Sequence, residues 1–95
     1  MEQLRFDWDK EKNIANQRKH GISFEEAQSV FVDENAQMIL DPDHSDDEDR
    51  FILLGLSASI RLMVVCHCYR ESDDVIRIIS ARKATRIEQN RYWKR

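Results

Sequence analysis

The residues best suited to chemistry lie in the last third of the chain, where basic side chains follow one another closely. They are Arg77, Arg82, Lys83 and Arg86. Arg77 belongs to a strand-like run, and the other three lie where we expect a strand to pass into a helix. Guanidinium groups bind phosphate through paired N–H donors, and the amides of a helix N-terminus add to anion binding. The segment therefore predicts a phosphate-binding surface.

Two features of this segment leave its geometry open. Arg82 and Arg86 have the spacing of neighbours on one helical face, if the helix begins near Lys83. Arg77 and Arg82 are five residues apart around a strand end, so they need not share a face, although both can border one surface. An alternative interpretation is that some of these arginines form ion pairs with Glu88 or with the acidic loop at 43–49 and only stabilise the fold.

His20 is the best candidate for a general acid or base, because the reference pKa of histidine is about 6.5. It also precedes Gly21, a residue typical of a helix C-terminus, where the helix dipole favours a protonated imidazole. A structural capping role therefore remains the alternative. Lys19 is either a phosphate contact or a solvated lysine. His67 is expected to be a core or sheet-face histidine rather than a catalytic one.

Charge is unevenly distributed along the chain. The net charge is −3, but residues 1–49 contain five Lys or Arg against fourteen Asp or Glu, whereas residues 70–95 contain eight against four. The loop at 43–49, which includes His44, has Asp spacings that could hold a divalent cation, but it lacks the glycine and the terminal glutamate of an EF-hand. It is therefore interpreted as a solvated charge run. Cys66 and Cys68 lie two apart in a strand-like run, which disfavours a disulfide between them and gives too few ligands for zinc. We predict no metal and no cofactor.

Length and composition indicate one domain, residues 1–95. No stretch approaches the roughly 20 apolar residues that span a bilayer, and the N-terminus does not have the pattern of a signal peptide. We therefore expect a cytoplasmic protein without membrane contact.

Hydrophobic periodicity predicts an α+β fold: a short strand at 4–8, helices at 12–20 and from Ser23, four strands at 36–40, 50–56, 61–69 and 75–80, and a helix at 83–94. Ser23 and Glu26 have the spacing of a capping box. Short connections between the four strands predict an antiparallel sheet, with residues 4–8 as a possible edge strand.

Four segments together resemble the BrnT toxin family, the ribonuclease halves of BrnT–BrnA type II toxin–antitoxin pairs. They are Phe6 to Asp9 with Lys12 and Asn16; Lys19 to Ala27, running on to Phe31; Arg50 with Gly55; and Arg77 to Ala84 with Arg86, Glu88 and Tyr92. The similarity spans nearly the whole chain in order. A departure lies at Cys66, His67 and Cys68, where apolar residues are expected.

The resemblance implies a RelE-like fold, RNA cleavage that inhibits translation, and a small DNA-binding antitoxin as partner in a hetero-oligomer, with operator DNA contacted only through that antitoxin. Metal-independent RNA cleavage needs a base, cations that stabilise the phosphorane and an acid for the leaving group. We assign catalysis to His20, Arg77 and Arg82, and RNA binding to Lys19, Lys83, Arg86 and Tyr92, whose ring can stack on a base. The alternative function is a non-catalytic module that binds nucleic acid or a partner in autoregulation.

Overall fold

The computed structural model describes residues 4–40, 50–70 and 74–94, and a five-stranded sheet forms its centre. The elements, in chain order, are β1 (Arg5–Asp7), α1 (Lys10–His20), α2 (Phe24–Gln28), a 3₁₀ helix (Ser29–Val32), β2 (Gln37–Leu40), β3 (Phe51–Leu56), β4 (Leu62–Arg70), β5 (Val75–Lys83) and α3 (Arg86–Trp93). The strand order is β1-β5-β4-β3-β2. Among the described residues, no helix is long and apolar enough to cross a membrane.

The predicted α+β class and the antiparallel arrangement of the four later strands are confirmed, since β2 to β5 pair antiparallel in sequence order. The possible edge strand is present, but it makes the sheet mixed rather than purely antiparallel. β1 pairs in parallel with the first part of β5, with Arg5, Phe6 and Asp7 opposite Val75, Ile76 and Arg77. Alternation in the sequence indicates a strand but not the direction of its partner.

A side chain of α1 continues the edge of the sheet beyond β1. The Nδ2 atom of Asn16 donates to the carbonyl of Ala81 at 2.9 Å, and its Oδ1 accepts from the Ala81 amide at 3.1 Å. The same Nδ2 also donates to the Ile22 carbonyl at 2.9 Å. Asn16 is buried. One carboxamide thus pairs with the β5 backbone as a neighbouring strand would, and holds the turn after α1 against it.

Helices α1 and α2 begin and end at capping residues. Asp9 accepts from the amides of Glu11 and Lys12, so α1 begins at Lys10, two residues before the predicted start. Gly21, with φ of 70°, ends the helix as predicted. Ser23 caps α2 through its Oγ, which accepts from the Glu26 amide at 3.0 Å.

The predicted return bond of the Ser23 capping box is absent among the described contacts of Glu26. Its carboxylate instead accepts from the Nε of Arg61 at 2.9 Å and from the Oγ of Ser57 at 2.7 Å. The hydrogen bond from Arg61 lowers the pKa of Glu26. The guanidinium also donates to the carbonyl of Gly21. The β3–β4 turn is therefore tied to α2, because a charged partner competes successfully for the carboxylate.

The sheet buries residues on both faces. One face packs on α2 and the 3₁₀ helix, with a core of Ile22, Phe24, Ala27, Val30, Leu53, Met63, Val65, Ile78 and Ala81. Gly55 permits this close approach: a Cβ there would lie 2.9 Å from Cγ1 of Val30 and 3.0 Å from Oδ2 of Asp33. The opposite face carries α3, where Tyr92 packs with Leu54, Val64 and Ala84. The Tyr92 hydroxyl donates to Asp33 at 2.6 Å and so connects α3 to the end of the 3₁₀ helix.

The predicted boundary between the last strand and the last helix is wrong. β5 continues through the basic residues to Lys83, and α3 begins only at Arg86. Thr85 and Glu88 form a complete capping box, because each side chain accepts from the other residue's amide. Arg82 and Arg86 are therefore not helical neighbours. On α3 and the segment before it, Ile87 is exposed, whereas Ala84 and Tyr92 are buried.

Candidate functional site

A β-bulge in β5 determines which side chains share a face of the sheet. Arg77 is opposite Cys68, Ser80 is opposite Cys66 and Arg82 is opposite Val64, and the register shifts by one residue beside Cys66 and His67. Ile79 is the extra residue. Positions five apart in a regular strand point to opposite faces, but the bulge adds one position. The structure therefore places Arg77, Ser80 and Arg82 on one face of the sheet.

That face contains an open groove of about 310 Å³, which we call the β5 groove. Its lining residues are Arg50, Ile52, Val64, Cys66, Ile79, Ser80 and Arg82. The strand side chains form an apolar floor, while two guanidinium groups and one hydroxyl border it. A concave surface with an apolar floor and a few convergent polar groups is the usual form of a ligand site. Positive charge at its border favours an anionic ligand.

Arg82 is held at this groove by Glu88 from the first turn of α3. Its Nη1 and Nη2 atoms donate to the two carboxylate oxygens at 2.8 and 2.9 Å, and Nη1 also donates to the Lys83 carbonyl at 3.2 Å. The Arg82 side chain remains 41% exposed. The hydrogen bonds from Arg82 are the largest reason that the pKa of Glu88 falls to about 2, and the Thr85 amide contributes in the same direction. Glu88 is therefore ionised at neutral pH and too weak a base to remove a proton from a hydroxyl.

Arg77 lies on the same face but has an acidic partner. Its Nη1 donates to Oδ1 of Asp7 at 3.1 Å, across the parallel β1–β5 pair. Both side chains are partly exposed, so the pair is screened by solvent and exchangeable. Arg77 and Arg82 can therefore form these ion pairs and still contact phosphate, because the ion pairs leave part of each guanidinium accessible.

The other predicted site residues lie away from the β5 groove. Lys83 is opposite Met63 and therefore points to the face that carries the main core. Lys19 and His20 end α1, the helix that lines the β5 edge through Asn16. His20 is partly exposed, and its imidazole makes no hydrogen bond with the residues that the structure describes. Arg86 is exposed at the first position of α3.

The structure does not support base stacking on Tyr92. The side chain is only 1% exposed, and its hydroxyl is bound to Asp33. The sequence pattern did not separate it from its neighbour, because both are aromatic and close to the C-terminus. Trp93 is 63% exposed and packs edge-on against Tyr92 at 4.8 Å between ring centroids. Trp93 therefore offers the accessible aromatic ring at this end of α3.

His67 is buried, as expected, on the face opposite the groove. Its ring is in edge contact with Phe31 and Tyr69 and stacks on Phe51. The Nδ1 atom contacts the Val65 carbonyl at 3.1 Å, and Nε2 has no partner among the described residues. Burial lowers the pKa of His67, so it is neutral at physiological pH.

Two groove residues, Arg50 and Ser80, were not assigned to the site from the sequence. Arg50 precedes β3, and Ser80 follows the bulge residue, so their convergence depends on strand pairing that the sequence does not display. Cys66 also lines the groove, and neither Cys66 nor Cys68 forms a disulfide bond. The described ranges contain no cluster of three His, Cys, Asp or Glu residues arranged to hold a metal. The acidic loop at 43–49, including His44, lies outside the described residues.

The groove can bind an anion and stabilise negative charge, since its border carries Arg50, Arg82 and the Ser80 hydroxyl. Its described lining contains no histidine or carboxylate that could transfer a proton. His20 would have to act from the edge of the sheet, on a ligand that extends around β5.

Comparisons with known proteins agree with this fold. A family described as "Ribonuclease toxin, BrnT, of type II toxin-antitoxin system" matches residues 8–88. The crystal structure of the Brucella abortus ribonuclease toxin BrnT is similar to this chain with a TM-score of 0.65 and 21% sequence identity, covering 88% of this chain and 100% of that one. At this identity the structural likeness shows the fold alone. A comparison with curated proteins gives no match.

Proposed function

Because this chain belongs to the BrnT family of ribonuclease toxins from type II toxin–antitoxin systems, we propose that it cleaves RNA internally without a metal ion and thereby inhibits translation in the cytoplasm. The β5 groove is the proposed site of the scissile phosphate. The observation that carries this proposal is the convergence of Arg82, Arg50 and Ser80 on one concavity. In the reaction the 2′-hydroxyl loses its proton and attacks the adjacent phosphorus, the bond from phosphorus to the 5′-oxygen breaks, and that oxygen leaves with a proton. Cations stabilise the charge that accumulates on the pentacovalent centre.

The residues divide into proposed roles. Arg82 stabilises the phosphorane, because it borders the groove and its guanidinium is fixed by Glu88. Arg77 contacts a neighbouring phosphate on the same face of the sheet. His20 is the proposed proton-transfer group, because its imidazole is partly exposed and makes no hydrogen bond with a described residue. Lys19, Lys83 and Arg86 hold RNA outside the groove, and Trp93 takes the stacking role first assigned to Tyr92.

The test measures RNA cleavage and thermal unfolding together for Arg82→Ala, Arg77→Ala and His20→Ala. Loss of a side chain that stabilises the transition state lowers the cleavage rate by about 10²–10³-fold. Arg18→Ala is the matched control, since it removes an exposed arginine of α1 without changing the groove. If the three site variants fold normally and cleave RNA at the parent rate, the assigned site is wrong. Cleavage that is abolished by a chelator contradicts the metal-independent reaction.

A type II toxin has a protein antitoxin. We propose that a small BrnA-like protein forms a hetero-oligomer with this chain, and that operator DNA is contacted only through that antitoxin. The charge asymmetry supports such a partner, because the residues before Arg50 are strongly acidic while the last 26 are basic. Co-purification of proteins with a tagged copy of this chain, expressed from its native genomic locus, tests the complex. Recovery of this chain alone, with no effect on growth, contradicts the proposal.

A non-catalytic binding module is the second candidate. It is favoured by the carboxylate partners of Arg77 and Arg82 and by the absence of a proton-transfer group from the described groove lining. Induced expression distinguishes the two functions. A ribonuclease arrests growth and leaves cleaved RNA, whereas a binding module retards RNA in a gel without cutting it.

A further inference from the structure

The hydrogen bonds of Arg82 leave one defined edge of its guanidinium available. A guanidinium has five N–H donors. The two Nη1 donors are occupied by Glu88 and by the Lys83 carbonyl, and one Nη2 donor is occupied by the second oxygen of Glu88. The Nε–H and the remaining Nη2–H have no acceptor among the described residues. These two groups lie parallel on the same edge of the planar group, with the spacing that two oxygens of one phosphate require.

We propose that Glu88 is a positioning residue for RNA cleavage, which fixes the plane of Arg82 so that its Nε–Nη2 edge forms a two-pronged contact with the scissile phosphate in the β5 groove. This inference rests on the proposed function and adds a residue that does not itself touch the substrate. Glu88 binds the end of the guanidinium, so a phosphate at the Nε side does not have to displace it. The ion pair is therefore part of the site rather than a competitor for it.

The Glu88 carboxylate is bound by the Thr85 amide at the N-cap of α3 as well as by Arg82. Its Oε1 accepts from the Thr85 amide at 2.8 Å, while its own amide donates to the Thr85 hydroxyl at 3.2 Å. The carboxylate is thus fixed by the first turn of α3 before it meets Arg82. A fixed carboxylate reduces the rotamer freedom of the arginine, and a catalytic group displaced by about 1 Å loses about 10²-fold in rate.

The proposal predicts that the cleavage rate depends on the orientation of the Arg82 N–H donors as well as on positive charge. Arg82→Lys keeps the positive charge but has no planar two-pronged edge, so cleavage falls at least 10-fold. Glu88→Gln keeps an acceptor for the Thr85 amide but replaces one carboxylate oxygen by a donor that repels Nη2, so cleavage also falls at least 10-fold. Because Glu88 acts through Arg82, the double variant is no slower than Arg82→Lys alone. In each case kcat changes more than KM.

The experiment compares kcat and KM for the parent, both single variants and the double variant on one RNA substrate, together with thermal unfolding. Thr85→Val is the control for helix stability, because it removes the hydroxyl that caps α3 but keeps the Thr85 amide that binds the Glu88 carboxylate. If Thr85→Val slows cleavage as much as Glu88→Gln does, stability of α3 explains the effect and the positioning role is refuted. Multiplicative losses in the double variant, or faster cleavage by Glu88→Gln, also refute it. A parent protein that does not cleave RNA refutes the proposed function instead.

Discussion

Replacement of Asn16 by alanine is predicted to be among the most destabilising single changes in this fold. The substitution removes three hydrogen bonds, to Ala81 N–H, Ala81 C=O and Ile22 C=O, with lengths of 3.1, 2.9 and 2.9 Å. The side chain is only 7% exposed, so water reaches the three backbone groups poorly. An unsatisfied buried polar group costs about 1–3 kcal/mol. Allowing for partial rehydration at the sheet edge, we expect a loss of about 3 kcal/mol.

The assay is thermal and denaturant unfolding followed by circular dichroism. A loss of about 3 kcal/mol lowers the Tm of a domain of this size by about 12–24 °C. Gln17→Ala is the matched control, since it lies next to Asn16 on the exposed side of α1 and its bonds to Asn13 are long, at 3.3 and 3.5 Å. We expect that control to change stability by less than about 0.5 kcal/mol.

Asn16→Asp tests the donor role of this side chain apart from its acceptor role. A carboxylate still accepts from the Ala81 amide but faces the two carbonyl oxygens without a proton. The variant should therefore be at least as unstable as Asn16→Ala at pH 7 and should recover part of its stability when acid protonates the carboxylate. A Tm of Asn16→Ala within about 4 °C of the parent would refute the view that this carboxamide completes the sheet edge.

Three further predictions concern other contacts of the fold. Gly55→Ala should lower the free energy of unfolding by about 1–3 kcal/mol, because the new Cβ would lie 2.9 Å from Val30; unchanged denaturant unfolding contradicts this. Tyr92→Phe should cost about 1–2 kcal/mol, because Asp33 loses a hydrogen bond of 2.6 Å, and Phe51→Tyr at an unrelated aromatic position should not reproduce the loss. The pKa of Glu88 lies at about 2 instead of 4.5. Its stabilising contribution is therefore complete above about pH 4.5 and disappears as pH falls towards 2, so Glu88→Gln should flatten the stability profile only in that window.

Much of the fold could be predicted from local patterns. Alternating apolar residues and short polar connections located β2 to β5 and their antiparallel order, and Gly21 correctly marked the end of α1. The start of α3 was also readable, because Thr85 and Glu88 have the spacing of a capping box that was recognised at Ser23 but not here. The direction of β1 was not readable, since parallel and antiparallel partners impose the same alternation.

Less of the candidate site could be predicted from local sequence patterns. Arg77 and Arg82 were identified by type, but their common face depends on a register shift against β4. Arg50 reaches the groove from the start of β3, far away in sequence from Ser80. The assignment of Tyr92 failed for a related reason. An aromatic residue near the C-terminus can pack inward or stack outward, and contacts with distant residues such as Leu54, Val64 and Asp33 determine which. Contacts between distant elements, rather than residue type, determine these outcomes.

The bulge at Ile79 changes which alternate residues of β5 lie on the same face of the sheet. Before it, odd-numbered residues such as Arg77 lie on the face of the sheet that carries the groove; after it, even-numbered residues such as Ser80 and Arg82 do so. Removal of a single residue here would therefore not merely shorten the strand. It would turn the side chains of one half of β5 to the opposite face of the sheet, so that Arg77 and Arg82 would no longer lie on the same face. The number of residues between the two arginines therefore determines whether both side chains lie on one face of the sheet.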